Sequence, residues 1–329
     1  MVNLKTYQNK RVLVTGANGL LGAHIVEKLL KANANVFALA LDIDHNSYYQ
    51  RNVDKSQFRE YLVDINDSLG LERVVSQVQP EIIIHLAAET QVKTGFLNPK
   101  LTFTTNVMGT LNLLEIIRNS SENVEQIVVA STDKVYGEAK VLPYTEETEL
   151  RAHGPYDTSK ACMDLMCQSF ANTYDLPVTI LRAGNIYGPG DLNWDRIIPG
   201  VCRWLLQNEQ PILRSTGEMI RDYIYVEDVA LAYLYAGAPR ERTNNLSIFN
   251  VSSNNPMKVM QLYEKLCVLL VNQHVEPLIR QGNVPEIAEQ RLDSSLIYNQ
   301  LGWKPTFTID ESLLKTITWY RELKYATNN

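Results

Sequence analysis

The sequence predicts an α/β fold: a doubly wound parallel sheet with a smaller α/β domain at the C-terminal end. Short apolar runs alternate with helical stretches over the first two-thirds of the chain, and a glycine-rich turn follows the first run. Parallel strands need long crossovers, which helices supply, so this alternation indicates βαβ units. The length of 329 residues suits two domains, or one large α/β unit with an appendage.

Each element is predicted from its own pattern, taken here in chain order. Short apolar runs bounded by polar or turn residues predict buried strands at Arg11 to Thr15, Val36 to Leu41, Glu81 to Leu86, Gln126 to Ala130 and Pro177 to Leu181. Apolar residues at helical spacing predict helices at Ala23 to Ala32, Thr105 to Arg118 and Ser159 to Tyr174. Strands and helices in this order are typical of a single parallel sheet.

The regular alternation weakens after about residue 188, where loops and shorter elements follow. We therefore expect a first domain over residues 1–187 and a second over residues 188–329. The run Ile248 to Val251 reads as a strand that returns to the first sheet, inside a returning segment near residues 225–255.

The charge balance bears on partners. The chain has 31 basic and 37 acidic residues, a formal net charge of −6. Nucleic-acid binding needs a basic surface, so no nucleic-acid partner is expected. A local pocket can still oppose the global sign, which leaves an anionic small ligand possible.

Cysteine usage and apolar runs bear on location. The four cysteines form no CxxC pair and no Cys/His zinc pattern, so they predict neither a redox pair nor a metal site. The N-terminal residues lack the apolar core of a signal peptide, and no apolar run approaches the ~18 residues of a membrane span. We expect a cytoplasmic protein with no membrane partner.

A glycine-rich turn of the form GxxGxxG joins the first strand to the first helix, at Gly16 to Gly22. Glycines allow a tight turn and a close approach of the backbone, and a helix N-terminus offers free N–H groups to a pyrophosphate. This arrangement is typical of the Rossmann type of dinucleotide-binding domain; the alternative is a purely structural turn.

The residues after the next strands predict the remaining contacts to a dinucleotide. An acidic residue that binds the adenosine ribose is expected near Ala40, but none lies at that position. Asp42 or Asp44, a few residues later, could reach the ribose instead. No Arg stands close by to take a 2′-phosphate, so NAD is favoured and NADP not excluded. Asp64 could accept from the adenine amino group, or could simply begin a surface turn. His85 is more typical of a packed histidine than of a catalyst.

The motif Tyr156-Asp157-Thr158-Ser159-Lys160 is the most specific signal in the chain. A tyrosine and a lysine four residues apart share one face of a helix. A nearby ammonium is expected to favour the phenolate, so that Tyr156 can act as a base near neutral pH. Thr132 ends an earlier strand, 24 residues before Tyr156, and is placed to orient a substrate alcohol.

These motifs together resemble the extended short-chain dehydrogenase/reductases of the nucleotide-sugar epimerase/dehydratase group. The matching segments are TGANGLLG, VDI, HLAAET, TTNVMGT, STDKVYG, YDTSK, RAGNIYGPGD and RDYIYVEDV, in the right order over about residues 10–230. The run Thr132-Asp133-Lys134 is similar to that of sugar 4,6-dehydratases, and its Asp-Lys form to CDP-glucose 4,6-dehydratases in particular.

The resemblance implies a set of functional residues. Catalysis would use Thr132, Asp133, Lys134, Tyr156 and Lys160. The cofactor NAD would contact Gly16, Asn18, Gly19, Leu20, Leu21, Gly22, Asp42, Asp64, Ile65, Leu86, Ala87, Ala88, Asn106, Tyr156 and Lys160. The substrate, a nucleotide-diphosphate sugar, would contact Thr132, Asn185, Arg196, Arg214 and Arg221, because guanidinium groups suit phosphate oxygens.

A 4,6-dehydratase, a lyase, oxidises the sugar at C4, removes water across C5 and C6, and returns the hydride to C6. This chemistry needs an acid and a base beyond tyrosine and lysine, which would be Asp133 and Lys134. For Lys134 to be the base its pKa must be depressed; it could instead be part of a proton path through a water. Alternatively, Asp133 caps a turn and Lys134 is solvated, as suits an epimerase or 4-ketoreductase.

The resemblance also implies a homodimer through a four-helix bundle. The helices around Thr105 to Arg118 and Ser159 to Tyr174 carry apolar stripes that would meet across the dimer, or be buried within one subunit. The stripes are Val107, Leu111 and Leu114 on one helix and Met163, Met166 and Phe170 on the other. A non-catalytic cofactor-binding protein on the same fold is a third alternative, and the intact Thr132, Tyr156 and Lys160 count against it.

Overall fold

The computed structural model describes residues 4–120, 123–240, 244–280 and 287–327. The strands are β1 (Arg11–Thr15), β2 (Asn35–Ala40), β3 (Arg59–Leu62), β4 (Ile82–His85), β5 (Gln126–Thr132), β6 (Val178–Ala183), β7 (Asn185–Tyr187), β8 (Ile212–Leu213), β9 (Ile220–Arg221), β10 (Tyr223–Tyr225), β11 (Leu246–Val251), β12 (Met257–Lys258) and β13 (Leu278–Ile279).

The α-helices are α1 (Leu20–Lys31), α2 (Tyr48–Asn52), α3 (Ser68–Val78), α4 (Val92–Leu97), α5 (Pro99–Phe103), α6 (Thr110–Ser120), α7 (Pro155–Tyr174), α8 (Ile197–Leu206), α9 (Val226–Gly237), α10 (Val259–Val271), α11 (Ser295–Leu301) and α12 (Ile309–Thr327). Short 3₁₀ turns cover Leu4–Tyr7, Lys55–Gln57 and Asp133–Tyr136, and a π-helical turn covers Thr104–Gly109. None of the described helices has the combined length and apolar character needed to cross a membrane.

The main sheet has seven parallel strands in the order β11-β6-β5-β4-β1-β2-β3. This confirms the predicted doubly wound parallel sheet. The strand expected around Ile248 is β11, which pairs with β6 at the sheet edge. The chain winds outward from β1 in one direction and from β4 in the other, so the crevice for a ligand lies where these two strands end.

Helices cover both faces of this sheet, which explains why β1, β4, β5 and β6 are apolar almost throughout. One core contains side chains of α1 and α9, such as Ile25 and Val229. The other contains side chains of α3, α6 and α7, such as Leu71, Leu113 and Cys167. A separate core around α8, α10 and α12 belongs to the C-terminal region.

The apolar stripes on α6 and α7 mostly face this core. Leu114, Met163 and Phe170 are buried, and Leu111 and Met166 pack against the same cluster. Burial within one subunit, the alternative interpretation, therefore describes Leu114, Met163 and Phe170. Val107, Leu111 and Met166 are only partly buried, and the dimer seam stays a prediction. Exposed apolar side chains in this region include Leu101 on α5, Met108 in the π-helical turn and Leu165 on α7, at 43%, 49% and 55% exposure.

Candidate active site

One cavity brings together nearly all of the sequence-predicted functional residues. It lies at the carboxyl ends of β1, β4, β5 and β6 and extends to the region of β8 to β10. It is lined by Gly16, Asn18, Gly19, Leu20, Leu21, Gly22, Asp42, Asp64, Ile65, Leu86, Ala87, Ala88, Thr132, Asp133, Lys134, Tyr156, Lys160, Asn185, Arg196, Arg214 and Arg221. No cluster of three or more His, Cys, Asp or Glu in the described part of the chain could hold a metal ion.

The glycine-rich turn leaves room at the floor of the cavity. Gly16 has a φ of +67°, and a Cβ there would lie 2.8 Å from the backbone nitrogen of Ala87. Helix α1 begins just after, with Gly19 at its N-cap and no side chain bonded to its free N–H groups. This end of the helix therefore presents unpaired donors and a positive dipole to the cavity, which suits a pyrophosphate.

Two acidic residues lie at the ends of β2 and β3. Asn18 Nδ2 donates to the backbone oxygen of Asp42 at 2.8 Å, which ties the glycine turn to the residues after β2. The Asp64 carboxylate accepts from Asn66 N at 2.9 Å and Nδ2 at 3.0 Å. Asp64 thus begins a turn and also lines the cavity, so the two interpretations of this residue do not exclude each other.

His85 is a packed histidine, as its position suggested. Its Nδ1 lies 2.7 Å from Thr15 Oγ1, and its Nε2 lies 2.9 Å from Thr110 Oγ1. Burial lowers the pKa of His85 to about 3, and the positive charge of Lys160 lowers it further. The imidazole is therefore neutral at physiological pH and links β1, β4 and α6.

Asn106 lies outside the set of residues that line the cavity, and its predicted contact with the cofactor stays a prediction. Its side chain is fully buried and its hydrogen bonds go to protein. Its Oδ1 accepts from Glu89 N at 2.8 Å, and its Nδ2 donates to Glu89 O at 3.0 Å and to Ser159 Oγ at 2.8 Å. Ser159 in turn donates to the backbone oxygen of Tyr156 at 2.7 Å. Asn106, inside the π-helical turn, fixes the first turn of α7.

Thr132 and Asp133 stand where β5 ends and a 3₁₀ turn begins. This turn places Asp133 and the next residue, Lys134, in one cavity, although neighbouring residues point apart along a strand. Thr132 Oγ1 donates to Asp133 Oδ1 at 3.0 Å, whereas the buried Asp133 Oδ2 has no hydrogen-bond partner. Burial raises the pKa of Asp133, and the nearby charge of Lys134 opposes this. Such a carboxyl is suited to hold and donate a proton.

Lys160 lies on α7 with Tyr156, and its ammonium is held by groups other than the Tyr156 hydroxyl. Lys160 Nζ donates to the backbone oxygen of Ala130 at 2.5 Å and to Met163 Sδ at 3.4 Å. Burial lowers the pKa of Lys160 to about 8. Burial raises the pKa of Tyr156, and the positive charge of Arg196 lowers it. The carbonyl oxygen of Ala130 holds the ammonium here, so the favouring of the phenolate by Lys160 stays a prediction.

Asp157 is a site residue that sequence reasoning missed. It lines the cavity, and burial raises its pKa while the charge of Lys134 opposes that shift and the charge of Asp133 adds to it. The signal was available, because Asp157 lies inside the YxxxK motif and follows the proposed base directly. Lys134 therefore faces two carboxyl groups, Asp133 and Asp157.

The predicted arginines have partners within the protein. Arg196 Nη1 lies 3.1 Å from Asp191 Oδ2, and Arg214 forms an ion pair with Asp195. Arg221 is buried and donates to the backbone oxygen of Ile220 at 2.9 Å. These contacts orient the guanidinium groups while all three side chains still line the cavity. Asp191 and Asp195 were not singled out from the sequence.

Asn185 has an unsatisfied amide. Its backbone N–H donates to Asp222 O at 2.8 Å, which fixes the start of β7. Its side-chain Nδ2 is buried without a hydrogen-bond partner and belongs to a residue that lines the cavity. An unsatisfied buried donor is costly, so this atom is a natural contact for an oxygen of a bound molecule.

The profile of the NAD dependent epimerase/dehydratase family matches residues 12–252. The chain belongs to this family. The resemblance inferred from the motifs is confirmed, and so is the prediction of NAD as cofactor.

Known members of the family align over almost the whole chain. The dTDP-D-glucose 4,6-dehydratase of Bos taurus is 29% identical over 327 residues, covering 95% of this chain and 89% of that protein. The CDP-glucose 4,6-dehydratase of Salmonella typhimurium is 30% identical over 338 residues, covering 98% and 93%.

Solved structures of the family share the fold. The UDP-glucose 4-epimerase of Thermotoga maritima with UDP-glucose gives a TM-score of 0.85 at 29% identity, covering 94% of this chain and 98% of that one. The dTDP-glucose 4,6-dehydratase of Bacillus anthracis in complex with NAD gives 0.83 at 26% identity, covering 96% and 97%.

The residues of this family member fit NAD. The absent Cβ at Gly16 leaves space beside Ala87, and the uncapped start of α1 offers donors for a pyrophosphate. Asp42 and Asp64 line the cavity beyond β2 and β3, where ribose and adenine groups would find acceptors.

Gly16→Ala should weaken NAD binding by about tenfold or more, a loss of about 1.4 kcal/mol. The new Cβ would press on the backbone of Ala87. Gly302→Ala is the matched control, because Gly302 also has a positive φ, of +73°, but has nothing within 4 Å of a Cβ. Titration calorimetry with NAD should show normal affinity for Gly302→Ala. Equal affinity of the two variants for NAD would contradict the proposed binding of the cofactor against the glycine-rich turn.

Proposed function

We propose that this protein is a nucleotide-diphosphate-hexose 4,6-dehydratase with a CDP-glucose-like substrate favoured. The observation that carries the proposal is Asp133, a buried carboxyl in the cavity with a raised pKa and one oxygen without a partner. Elimination of water needs such an acid, whereas epimerisation or reduction at C4 does not.

The chain's own groups divide the proton transfers among them. Tyr156 Oη takes the proton of the sugar C4 hydroxyl, and Thr132 Oγ1 orients that hydroxyl. Asp133 gives its proton to the C6 hydroxyl as it leaves as water, and Lys134 takes the C5 proton, with Asp157 beside it as a further proton-holding group. Lys134 gives a proton back to C5 when C6 receives the hydride, so C5 ends with one hydrogen as it began. The chemistry that a bound NAD would supply is the acceptance of a hydride from C4 and its return at C6.

The substrate is held by charge and hydrogen bonds in the part of the cavity formed mainly by the C-terminal region of the chain. Arg196, Arg214 and Arg221 are the candidate phosphate contacts, and the free Nδ2 of Asn185 is a donor for the sugar or its phosphate. We assign cofactor binding mainly to residues 1–187 with the returning β11, and substrate binding mainly to residues 188–329.

The test is incubation with NAD and each of CDP-glucose, dTDP-glucose, UDP-glucose and a GDP-hexose. The expected product is a 4-keto-6-deoxyhexose, detected by its base-labile chromophore and by mass spectrometry as a loss of water. The highest kcat/KM identifies the nucleotide. No dehydrated product from any of these substrates would overturn the proposal.

A second candidate is an epimerase or 4-ketoreductase of the same family, which the likeness to a UDP-glucose 4-epimerase structure favours. In that case Asp133 and Lys134 are bystanders, and the same incubations yield an epimer or, with a 4-keto sugar and NADH, a reduced sugar. A non-catalytic cofactor-binding protein is disfavoured because Thr132, Tyr156 and Lys160 all line the cavity.

We further propose a homodimer in which the α5–α6 segment and α7 of two subunits form a four-helix bundle. The seam would use the exposed Leu101, Met108 and Leu165. Leu165→Glu should then shift the mass measured by light scattering from dimer to monomer, whereas Leu314→Glu, at a similarly exposed leucine of α12, should not. An unchanged mass for Leu165→Glu would contradict this seam.

A further inference from the structure

A buried ion pair lies behind the cavity wall, outside the set of lining residues. Arg182 on β6 donates from Nε to Asp164 Oδ2 at 2.9 Å and from Nη2 to Asp164 Oδ1 at 2.8 Å. The two side chains are 2% and 0% exposed. A buried ion pair is usually no more stabilising than well-packed apolar side chains, because desolvation offsets the attraction. Stability alone therefore does not explain this pair.

The pair holds both ends of the turn that carries the proposed acid and base. Ser131 Oγ, just before Thr132, donates to Asp164 Oδ2 at 2.7 Å. At the far end of the turn, Arg182 Nη1 donates to Tyr136 Oη at 3.0 Å. The Tyr136 hydroxyl donates onward to Asn250 Oδ1 on β11 at 2.7 Å.

The same carboxylate acts on the proposed catalytic lysine. Lys160 and Asp164 are four residues apart on α7 and both are buried, so they share one face of the helix. Burial lowers the pKa of Lys160, and Cys167 and the negative charge of Asp164 both raise it. The other titratable groups that face Lys160 are Cys167 on α7, whose pKa is raised by burial, and His85 on β4, whose pKa is lowered to about 3. Both are neutral at physiological pH, so Asp164 supplies the counter-charge.

We propose that Asp164 and Arg182 are positioning residues, which fix the Ser131–Tyr136 turn against α7 and keep Lys160 charged. Neither lines the cavity: Asp164 contacts Ser131, which does, and Arg182 acts through Asp164 and Tyr136. The proposal rests on the proposed function for the roles of Thr132 and Asp133 and on the sequence motif for that of Lys160, but the effect on Lys160 can be measured without any substrate.

The first test uses Asp164→Asn in protein carrying ¹³C-labelled lysine, with the Lys160 signal assigned from Lys160→Arg. We expect the Lys160 side chain to titrate at lower pH in the variant, because the negative charge of Asp164, which raises the pKa of Lys160, is removed. Asp228→Asn is the matched control, since Asp228 is another buried carboxylate, bonded to Thr306 and outside the cavity. A Lys160 titration that does not move in Asp164→Asn overturns the electrostatic half of the proposal, even if no substrate has been found.

The second test removes one hydroxyl. Tyr136→Phe keeps the ring stacked on Tyr144, with centroids 4.9 Å apart, but loses both hydroxyl contacts. We expect kcat to fall about fivefold or more with KM little changed, because the acid is displaced while the substrate contacts remain. Tyr7→Phe is the control, since it also removes a buried hydroxyl, bonded to Leu234 O at 2.7 Å on the opposite face of the sheet.

The outcomes separate the two proposals. A wild-type epimerase activity would overturn the dehydratase proposal, and Tyr136→Phe would then be assayed on that activity, since Thr132 and Tyr156 serve both reactions. Equal kcat for Tyr136→Phe, Tyr7→Phe and wild type would overturn the positioning role of the pair. If Asp164→Asn does not fold, Arg182→Lys, which keeps the charge but not the bidentate geometry, is assayed for the same fall in kcat.

Discussion

Tyr156→Phe should lower kcat by about 100- to 10,000-fold, the usual contribution of a positioned acid–base group. The substitution removes one oxygen and leaves the ring in place. Burial raises the pKa of Tyr156, so the hydroxyl is protonated until a charge beside it favours the phenolate. The loss should therefore fall on the proton transfer from the C4 hydroxyl, and NAD affinity should stay within about twofold.

The measurement is kcat for product formation together with NAD affinity by calorimetry. Tyr174→Phe is the control because Tyr174 ends the same helix and is 45% exposed. Full turnover by Tyr156→Phe would remove this residue from the mechanism and would revive the interpretation as a non-catalytic cofactor-binding protein.

The parallel sheet was readable from the sequence because its central strands are buried on both faces. Mostly apolar runs such as Ile82 to Ile84 and Val178 to Leu181 leave little ambiguity. The edge strand β3, with sequence REYL, has no such run, since an edge strand keeps polar side chains in water. The start of α7 at Pro155 was also missed, although proline at the first helical position is favourable.

The site was predictable residue by residue but not in its contacts. Motif spacing found the residues that line the cavity, because strand ends and helix starts fix where those side chains lie. It could not show that Lys160 donates to the carbonyl oxygen of Ala130, or that the Asn106 side chain forms its hydrogen bonds with Glu89 and Ser159. Those partners come from other elements, which the local pattern does not reveal. For a related reason, the apolar stripe on α7 did not reveal from the sequence whether the sheet or a second subunit covers it.

Asp133→Asn should abolish dehydration while making the protein more stable. The amide cannot give a proton to the C6 hydroxyl, so turnover to the 4-keto-6-deoxy product should fall by about 100-fold or more. Oxidation at C4 should survive, because Tyr156 and Thr132 are unchanged, and it is seen as reduced cofactor absorbance on mixing with substrate. Intact turnover would instead make Asp133 a bystander and favour the epimerase or 4-ketoreductase.

The stability of Asp133→Asn follows from the direction of the pKa shift. Burial raises the pKa of Asp133 in the folded state, so the unfolded chain releases this proton at lower pH, and wild-type stability falls as the pH rises from the ordinary carboxyl range through the folded-state value. An amide has no such cost, and its oxygen can still accept from Thr132. The free energy of unfolding of the variant, measured in urea, should therefore be about 1 kcal/mol higher than that of the wild type near neutral pH, and much less so in acid.

Asp228→Asn is the control and should lose stability. Both oxygens of Asp228 accept hydrogen bonds from Thr306 and Phe307, so an amide NH₂ would face a donor. If Asp133 is retained for its chemistry, it should lower the stability of the protein relative to an amide at the same position. A loss of stability in Asp133→Asn at neutral pH would instead point to a structural role.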